Sequence, residues 1–328
     1  MIIRYGKSLD SARLKRDLDK TSSIAAARDF STATKPGPLL DSCPACDSPN
    51  ATDLATIYGF KYRECSGCGS AFVANPPESD AIEAAYKSDY YTAANKILLA
   101  NERVIDYRLD TVARPKVQFV VDNLTTSKRT WLDVGCGVGE ILAAAEDSGF
   151  QVLGLETNTM EAEFARTRFG IDVRDEYVTP DTVRTYESRY GVISLFSVLE
   201  HVSDPRAILR TMSKVQGPGD NIVIETPHFP SISSFSQICF PEHVNRMMHP
   251  PLHLFLFSTN AIMQMLREND YEPCALWYFG QDFYELISTL GVLHPQINGS
   301  RLHEAASAIT NAVQKEIDAS GFTDEMLV

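Results

Sequence analysis

The chain lacks any apolar run approaching the ~20 residues that a bilayer-spanning helix needs. Its N-terminal stretch, MIIRYGKSLDSARLKRD, has charges where a secretory signal requires an apolar centre, so neither export nor anchoring is expected and the cytoplasm is the default compartment. Basic residues are in the minority, with 30 Lys and Arg against 43 Asp and Glu and a formal net charge of −13. Affinity for nucleic acid rests mainly on cationic side chains that neutralise phosphates, so a polyanionic partner fits poorly and a small substrate fits better. No internal repeat or low-complexity tract stands out. What is there is ordinary for a globular protein, 44% hydrophobic and 22% charged. At 328 residues the chain exceeds what one compact core usually holds, so two domains, or one with appendages, are expected.

The cysteines agree with a reducing compartment. Four of the seven form two C-x2-C pairs, Cys43 with Cys46 and Cys65 with Cys68, and 18 residues separate the pairs. That spacing falls inside the window of structural zinc sites. Each pair can aim two thiolates at one point, and two such knuckles complete a closed tetrahedral site whose binding energy folds a segment too small to hold itself. Turn residues follow each pair and LATIYGFKYREC supplies hairpin strands between them, so a zinc ribbon is expected over residues 41–77. Two disulfides are the alternative, disfavoured without a secretory signal. Cys136, Cys239 and Cys274 have no metal-ligand spacing and are read as packing residues.

Residues 131–140, WLDVGCGVGE, read as a buried strand running into a glycine turn that opens a helix. Such a turn lets a ligand approach the backbone, and the following helix presents unpaired N–H groups. A dinucleotide fingerprint would need glycine at position 140, which is Glu140; the pattern present is D-x-G-x-G-x-G from Asp133. A second apolar run, QVLGLE, ends in Glu156, at the distance where an acid at the next strand tip can accept bonds from ribose hydroxyls. This combination resembles the class I S-adenosylmethionine (SAM) dependent methyltransferases. The resemblance implies a doubly wound, Rossmann-like α/β sheet, with Asp133, Gly135, Gly137 and Gly139 bordering the methionine part of SAM and Glu156, beside Thr157, on its ribose. It further implies that Asp175 or Glu176, at the end of a third strand, reaches the adenine, and that Phe196 and Ser197, at the end of a fourth, line the cofactor.

The E-H-V triplet at Glu200, with D-P soon after, resembles a subgroup of small-molecule methyltransferases that includes quinone O-methylating enzymes. His201 has two readings there, a base that takes a proton from a substrate hydroxyl or a brace for the loop. Beyond the fifth strand, SISSFSQICFPEHVNRMMHPPLHLFLFS is too rich in Pro, Ser and His to be one regular element, and reads as a lid insertion over about 228–257. His243 and His253 are candidates for base or substrate contact, and His228 for substrate contact. For a second metal there, only His249 and His253 have a spacing that could fix a geometry, and Pro250-Pro251 forbid a helix between them. After the ribbon, Tyr90 and Tyr91 sit in a segment similar to one that lies over the cofactor in methyltransferases of sugar and polysaccharide modification, and are read as substrate contacts or as packing.

The expected organisation is therefore a loosely held helical arm or a disordered leader over 1–40, the ribbon, a helical bridge over 78–128, a methyltransferase domain over 129–300, and a C-terminal helix and acidic tail over 301–328. The function expected is SAM-dependent methylation of a small hydroxylated acceptor, first the oxygen of a sugar, glycan or related metabolite. A sugar carbon beside a carbonyl is second. An RNA methyltransferase using the ribbon as reader, and a SAM-binding scaffold without turnover, are the readings from other classes. Oligomeric state is not legible.

Overall fold

The computed structural model describes residues 1–6, 20–86, 88, 90, 101–176, 179–186 and 189–328. Among them the strands are β1 (Ile2–Tyr5), β2 (Ala51–Ile57), β3 (Phe60–Cys65), β4 (Ala71–Val73), β5 (Thr130–Val134), β6 (Gln151–Leu155), β7 (Val173–Arg174), β8 (Val192–Phe196), β9 (Asn221–Pro227), β10 (Phe255–Leu256), β11 (Ala275–Phe279) and β12 (Glu325–Leu327). The main sheet has the order β1-β11-β12-β9-β8-β5-β6-β7. Every neighbouring pair in it is parallel except the two that β12 makes, with β11 and with β9.

Parallel strands covered on both faces read as nearly continuous apolar runs, and β5 and β8 do so, with Trp131, Leu132, Val134, Val192, Ile193 and Leu195 all buried and their one buried polar pair, Asp133 and Ser194, bonded to each other. The chain winds outward from β5 through β6 to β7, then returns to β8 on the other side of β5. The reversal leaves a crevice above the carboxyl ends of β5 and β8, which is where open α/β sheets bind ligands. Helices follow the strands with ordinary local signals. Asn158 caps Thr159–Phe169 by accepting from Met160 N–H and Glu161 N–H, and Gly170, at φ +72°, ends it; Asp204 caps Pro205–Val215.

The second sheet has the order β10-β4-β3-β2. β2, β3 and β4 belong to the cysteine-bearing segment, whereas β10 comes from the far side of the sequence and pairs antiparallel with β4. The ribbon is therefore joined to the body by a shared sheet. Tyr58 and Tyr62 reinforce the joint, their hydroxyls donating to the carbonyls of Val244 at 2.8 Å and His253 at 2.9 Å.

Both termini depart from expectation. Residues 1–40 were read as a loosely held helical arm or a disordered leader; a helix does form there, yet IIRY forms β1, parallel to β11, with the Arg4 guanidinium 3.9 Å from the centre of the Trp277 ring. A helix spans Lys20–Ala33 and Ser31 within it is fully buried. The average polarity of the segment conceals a four-residue β-forming run whose only justification is an open edge elsewhere in the fold. At the other end, the expected helix and tail are two helices, Arg301–Ala308 and Thr310–Ser320, followed by β12, which fills the slot between β9 and β11. The run from Asp282 to Leu290, whose sequence suits a helix as well as a strand beside β11, lies in a helix that spans Asp282–Leu293. Three residues carry no periodicity, so a strand of that length is visible only from the backbone groups it satisfies.

Candidate active site

The glycine turn sits at the crevice. Gly135 and Cys136 donate their N–H groups to the Leu155 carbonyl at 2.8 and 3.0 Å, tying the turn to the end of β6. Gly139, at φ +83°, has no room for a side chain, since a Cβ there would stand 2.8 Å from Ala165 Cβ. Gly137 differs. Its φ is +53° but a Cβ would meet nothing within 4 Å among the described residues, so its backbone faces space that they leave open. Glu156 at the tip of β6 reaches back to that point, accepting from Gly137 N–H at 2.8 Å through Oε2 and from Asn158 N–H at 2.7 Å through Oε1. Burial pushes its carboxyl above the usual range, while these backbone bonds oppose the shift. Asp133 points instead toward β8, accepting from Ser194 Oγ at 2.5 Å, and burial raises its pKa to about 7.

The remaining cofactor candidates surround this centre. Phe196 and Ser197 end β8, and Ser197 holds a left-handed φ of +54° with its N–H on the Glu225 carbonyl at 3.0 Å. Asp175 pairs with Arg166 at 2.6 Å, and Glu176 accepts from the Tyr186 hydroxyl at 2.8 Å. Thr157 is exposed beside Glu156. Two ion pairs that sequence reading did not single out brace the same region. Lys116 Nζ lies 2.6 Å from Glu225, both side chains buried, and Arg108 makes a two-pronged contact with Glu140 at 2.7 and 2.8 Å. Only the fold reveals them, because their partners are 109 and 32 residues apart.

A second cluster gathers where the turn after β8 meets the lid. The rings of His201 and His253 lie 4.8 Å apart, and His201 Nδ1 donates to the Leu252 carbonyl at 2.7 Å. Glu200 is wholly buried beside them. His249 packs against Tyr90 at 5.7 Å and Phe30 at 6.3 Å, and Phe30 and Tyr90 stack at 4.6 Å. The helix Lys20–Ala33 thus forms part of the wall, fixed by Ser31 Oγ on the Pro250 carbonyl and by Asn245 on Ser23 at 2.8 Å. Burial holds the pKa of His201 and His249 down to about 4 and pushes that of His253 well below the usual imidazole range, so all three are neutral at pH 7.

Two expected site residues lie elsewhere. His228 has both ring nitrogens engaged, with the Thr323 carbonyl at 2.9 Å and Thr259 Oγ1 at 3.2 Å, so it packs the C-terminal strand and is not available to a substrate. His243 ends the short turn Pro241–His243, which packs against β2 and the helix Lys20–Ala33, apart from the cluster of His201 and His253. Tyr91 lies outside the described residues. Conversely, His249 and Glu200 join the cluster without having been assigned to the site, and Phe30 without having been singled out. The E-H-V triplet held the signal for Glu200; nothing in the sequence joins Phe30 to it.

The four ribbon cysteines converge. Their sulfurs all lie within 4.8 Å of one another, with Cys46 and Cys65 at 3.5 Å and Cys43 and Cys68 at 3.9 Å. Four sulfurs at ~2.3 Å from a tetrahedral zinc stand about 3.8 Å apart, so the arrangement fits that ion. Without one, the thiols contend for a single charge. The Cys68 bond raises Cys43, burial lifts Cys46 to about 12, and Cys43 holds Cys68 down to about 5.

Strand order, glycine turn and the acid at the tip of β6 together define a Rossmann-like α/β protein of SAM-methyltransferase architecture, with a four-cysteine ribbon attached. A family model described as a methyltransferase domain matches residues 105–276, and the chain belongs to that family. Among curated proteins it is similar to the ubiquinone biosynthesis O-methyltransferase of Proteus mirabilis, 32% identical over 129 residues, 37% of this chain and 51% of that protein. The protein of the same description from Erwinia tasmaniensis is 30% identical over 129 residues, 37% of this chain and 52% of that one. The chain thus spans about half the length of these relatives. Among solved structures, a SAM-dependent methyltransferase from Archaeoglobus fulgidus matches with a TM-score of 0.45 and 16% identity, over 65% of this chain and 90% of that one. Geranyl diphosphate C-methyltransferase from Streptomyces coelicolor matches with a TM-score of 0.43 and 16% identity, over 69% and 81%. No helix among the described residues is long and apolar enough to cross a membrane.

Proposed function

We propose that the protein is a SAM-dependent methyltransferase acting on an oxygen of a small hydroxylated acceptor, a sugar, glycan or related metabolite. The observation that carries this reading is the pairing of Glu156 with the open backbone at Gly137, which puts a buried carboxylate beside the one glycine of the turn with free space before it. A ligand entering there meets an acceptor for paired ribose hydroxyls and an approachable backbone. Gly135, Gly139 and Asp133 would border its amino-acid end, Thr157 and either Asp175 or Glu176 its nucleoside end, with Phe196 and Ser197 beneath. SAM supplies an activated methyl group on a sulfonium. The chain's own part is to hold the acceptor in line, exclude water and take the hydroxyl proton. His253 suits the last task. Its Nδ1 is buried without a hydrogen-bond partner among the described residues, and its lowered pKa keeps the ring neutral and able to accept. His201, whose Nδ1 donates to the Leu252 carbonyl, stands beside it, the two rings 4.8 Å apart. Phe30, Tyr90 and His249 offer an aromatic wall for the acceptor.

The O-methyltransferase descriptions of the curated relatives support oxygen over carbon, and the net charge of −13 favours a small molecule over RNA. The test is transfer of labelled methyl from SAM to a panel of nucleotide sugars, glycans and hydroxylated aromatics. Turnover of at least one, lost in His253→Asn while SAM still binds, is the expected result. Tight binding of SAM with no turnover on any oxygen acceptor, or turnover only on RNA, would sink the reading.

A further inference from the structure

We infer that Ser194, steered by Trp131, is a positioning residue for the cofactor: it favours the ionised form of Asp133 and turns that carboxylate so that one oxygen is left for the ammonium of SAM. The inference rests on the placement of Asp133 at the amino-acid end of SAM proposed above. Trp131 and Asp133 are two residues apart on β5 and so point to one face of the sheet, and Ser194 lies in register beside Asp133 on β8. Trp131 Nε1–H donates to Ser194 Oγ at 2.7 Å, and Ser194 Oγ–H donates to Asp133 Oδ1 at 2.5 Å. All three side chains are buried. A hydroxyl within the otherwise apolar run VISLF costs free energy unless it is bonded, and here it both accepts and donates.

The indole decides the direction of the chain. It can only donate, so it takes a lone pair of the Ser194 oxygen and leaves the single hydroxyl proton for an acceptor. Two acceptors are in range, Asp133 Oδ1 at 2.5 Å and the Leu132 carbonyl at 3.5 Å, and the short contact is to the carboxyl group. A protonated Asp133 is the weaker acceptor, so the bond favours its charged form. The groups around Asp133 pull both ways. Burial raises its pKa most and Glu156 from β6 and Glu225 from β9 add to the rise, while Ser194 and Lys116, the latter from the helix Arg114–Asp122, oppose it and leave it at about 7. Cys136 in the glycine turn is also near, its thiol pushed far above neutral by burial and so uncharged. At that balance the loss of one hydrogen bond changes how much carboxylate is present at neutral pH. Oδ1 takes the Ser194 hydroxyl, so Oδ2 is the oxygen that an ammonium meets in a charge-assisted bond.

The experiment is calorimetric titration of the full chain, across pH values on both sides of neutrality, with SAM and with its demethylated product, which carries the same ammonium. Wild-type affinity is expected to fall as the pH drops through about 7, and Asp133→Asn to bind weakly with no such fall. Titration of the ligand's own amine is common to all variants and cancels. Ser194→Ala moves the midpoint of the fall up by about one pH unit, so it binds roughly fivefold more weakly than wild type at pH 7 and nearly equally well above pH 8. Ser194→Thr, which keeps the hydroxyl, restores the wild-type profile. If Ser194→Ala fails to fold because it strands the Trp131 N–H, the double variant Trp131→Phe, Ser194→Ala removes donor and acceptor together and carries the same expectation. The chain holds two tryptophans, so the Trp131 indole N–H resonance is assigned by its loss in Trp131→Phe, and its shift should titrate with Asp133 in the ligand-free protein. Equal pH profiles for wild type and Ser194→Ala, or a wild-type profile no different from that of Asp133→Asn, overturn the inference. So does an indole resonance that titrates while cofactor binding does not. SAM binding with the expected profile but no methyl transfer to any oxygen acceptor supports it and counts against the oxygen-acceptor reading alone.

Discussion

Replacing Glu156 tests the reading at its centre, because that carboxylate both shapes the glycine turn and is proposed to receive the ribose. Its oxygens accept backbone N–H groups from Gly137 at 2.8 Å and Asn158 at 2.7 Å, with Thr157 a further donor that a ribose hydroxyl would join or replace. Hydrogen bonds to a charged group contribute roughly 1.5–3 kcal/mol. Glu156→Ala removes two such acceptors for the ligand, about 3–6 kcal/mol, and at about 1.4 kcal/mol per tenfold this weakens SAM binding by roughly two to four decades. Glu156→Gln is informative in a different way. A glutamine has one oxygen, so one of the two backbone N–H groups must face an amide NH2, donor against donor. The isosteric change is therefore expected to lose at least tenfold in affinity and to lower the melting temperature, despite keeping the shape. Calorimetric titration of wild type and both variants with SAM and with its demethylated product reads the effect, and thermal unfolding shows whether the turn has collapsed. If Glu156→Ala, properly folded, binds SAM within about threefold of wild type, the ribose is held elsewhere and the argument from the glycine turn fails.

Three further outcomes are expected. Cys65→Ser removes one of four converging sulfurs and should release the zinc; since β4 pairs with β10 and Tyr62 holds the His253 backbone, turnover should fall at least ~10-fold with SAM affinity nearly unchanged, which elemental analysis and steady-state kinetics would check. Deleting the residues after Gly321 removes β12 and the wholly buried Thr323 and Asp324, the latter bound by Arg246 at 3.0 Å, and should abolish the cooperative unfolding transition; a retained sharp transition by circular dichroism would refute it. His228 is buried with a pKa lowered to about 4, so the unfolded chain binds more protons than the folded one between about pH 4 and 6.5, and stability from this group is present above that window and lost as pH falls through it. The stability deficit of His228→Asn relative to wild type should accordingly shrink between pH 7.5 and 4.5, by at most ~3 kcal/mol; a deficit constant across denaturant titrations at those pH values would contradict it.

The sequence by itself determined the elements whose signal is local. The D-x-G-x-G-x-G turn with Glu156 behind it, and the two C-x2-C pairs, each hold their chemistry within a short window, because a turn needs its glycines in consecutive positions and a knuckle needs its cysteines one turn apart. What joins distant segments was decided only by the tertiary structure. β1 and β12 are four and three residues long, too short for periodicity, and exist because neighbouring strands left their backbone groups open. His228 and His253 look alike in the sequence, but one lies under the C-terminal strand with both nitrogens bonded and the other beside Glu200 with no partner for Nδ1 among the described residues. Phe30 reaches Tyr90 and His249 from a segment read as a leader, and Lys116 meets Glu225 from 109 residues away. A histidine's neighbours set whether its lone pair is used, and those neighbours come from segments that only folding brings together.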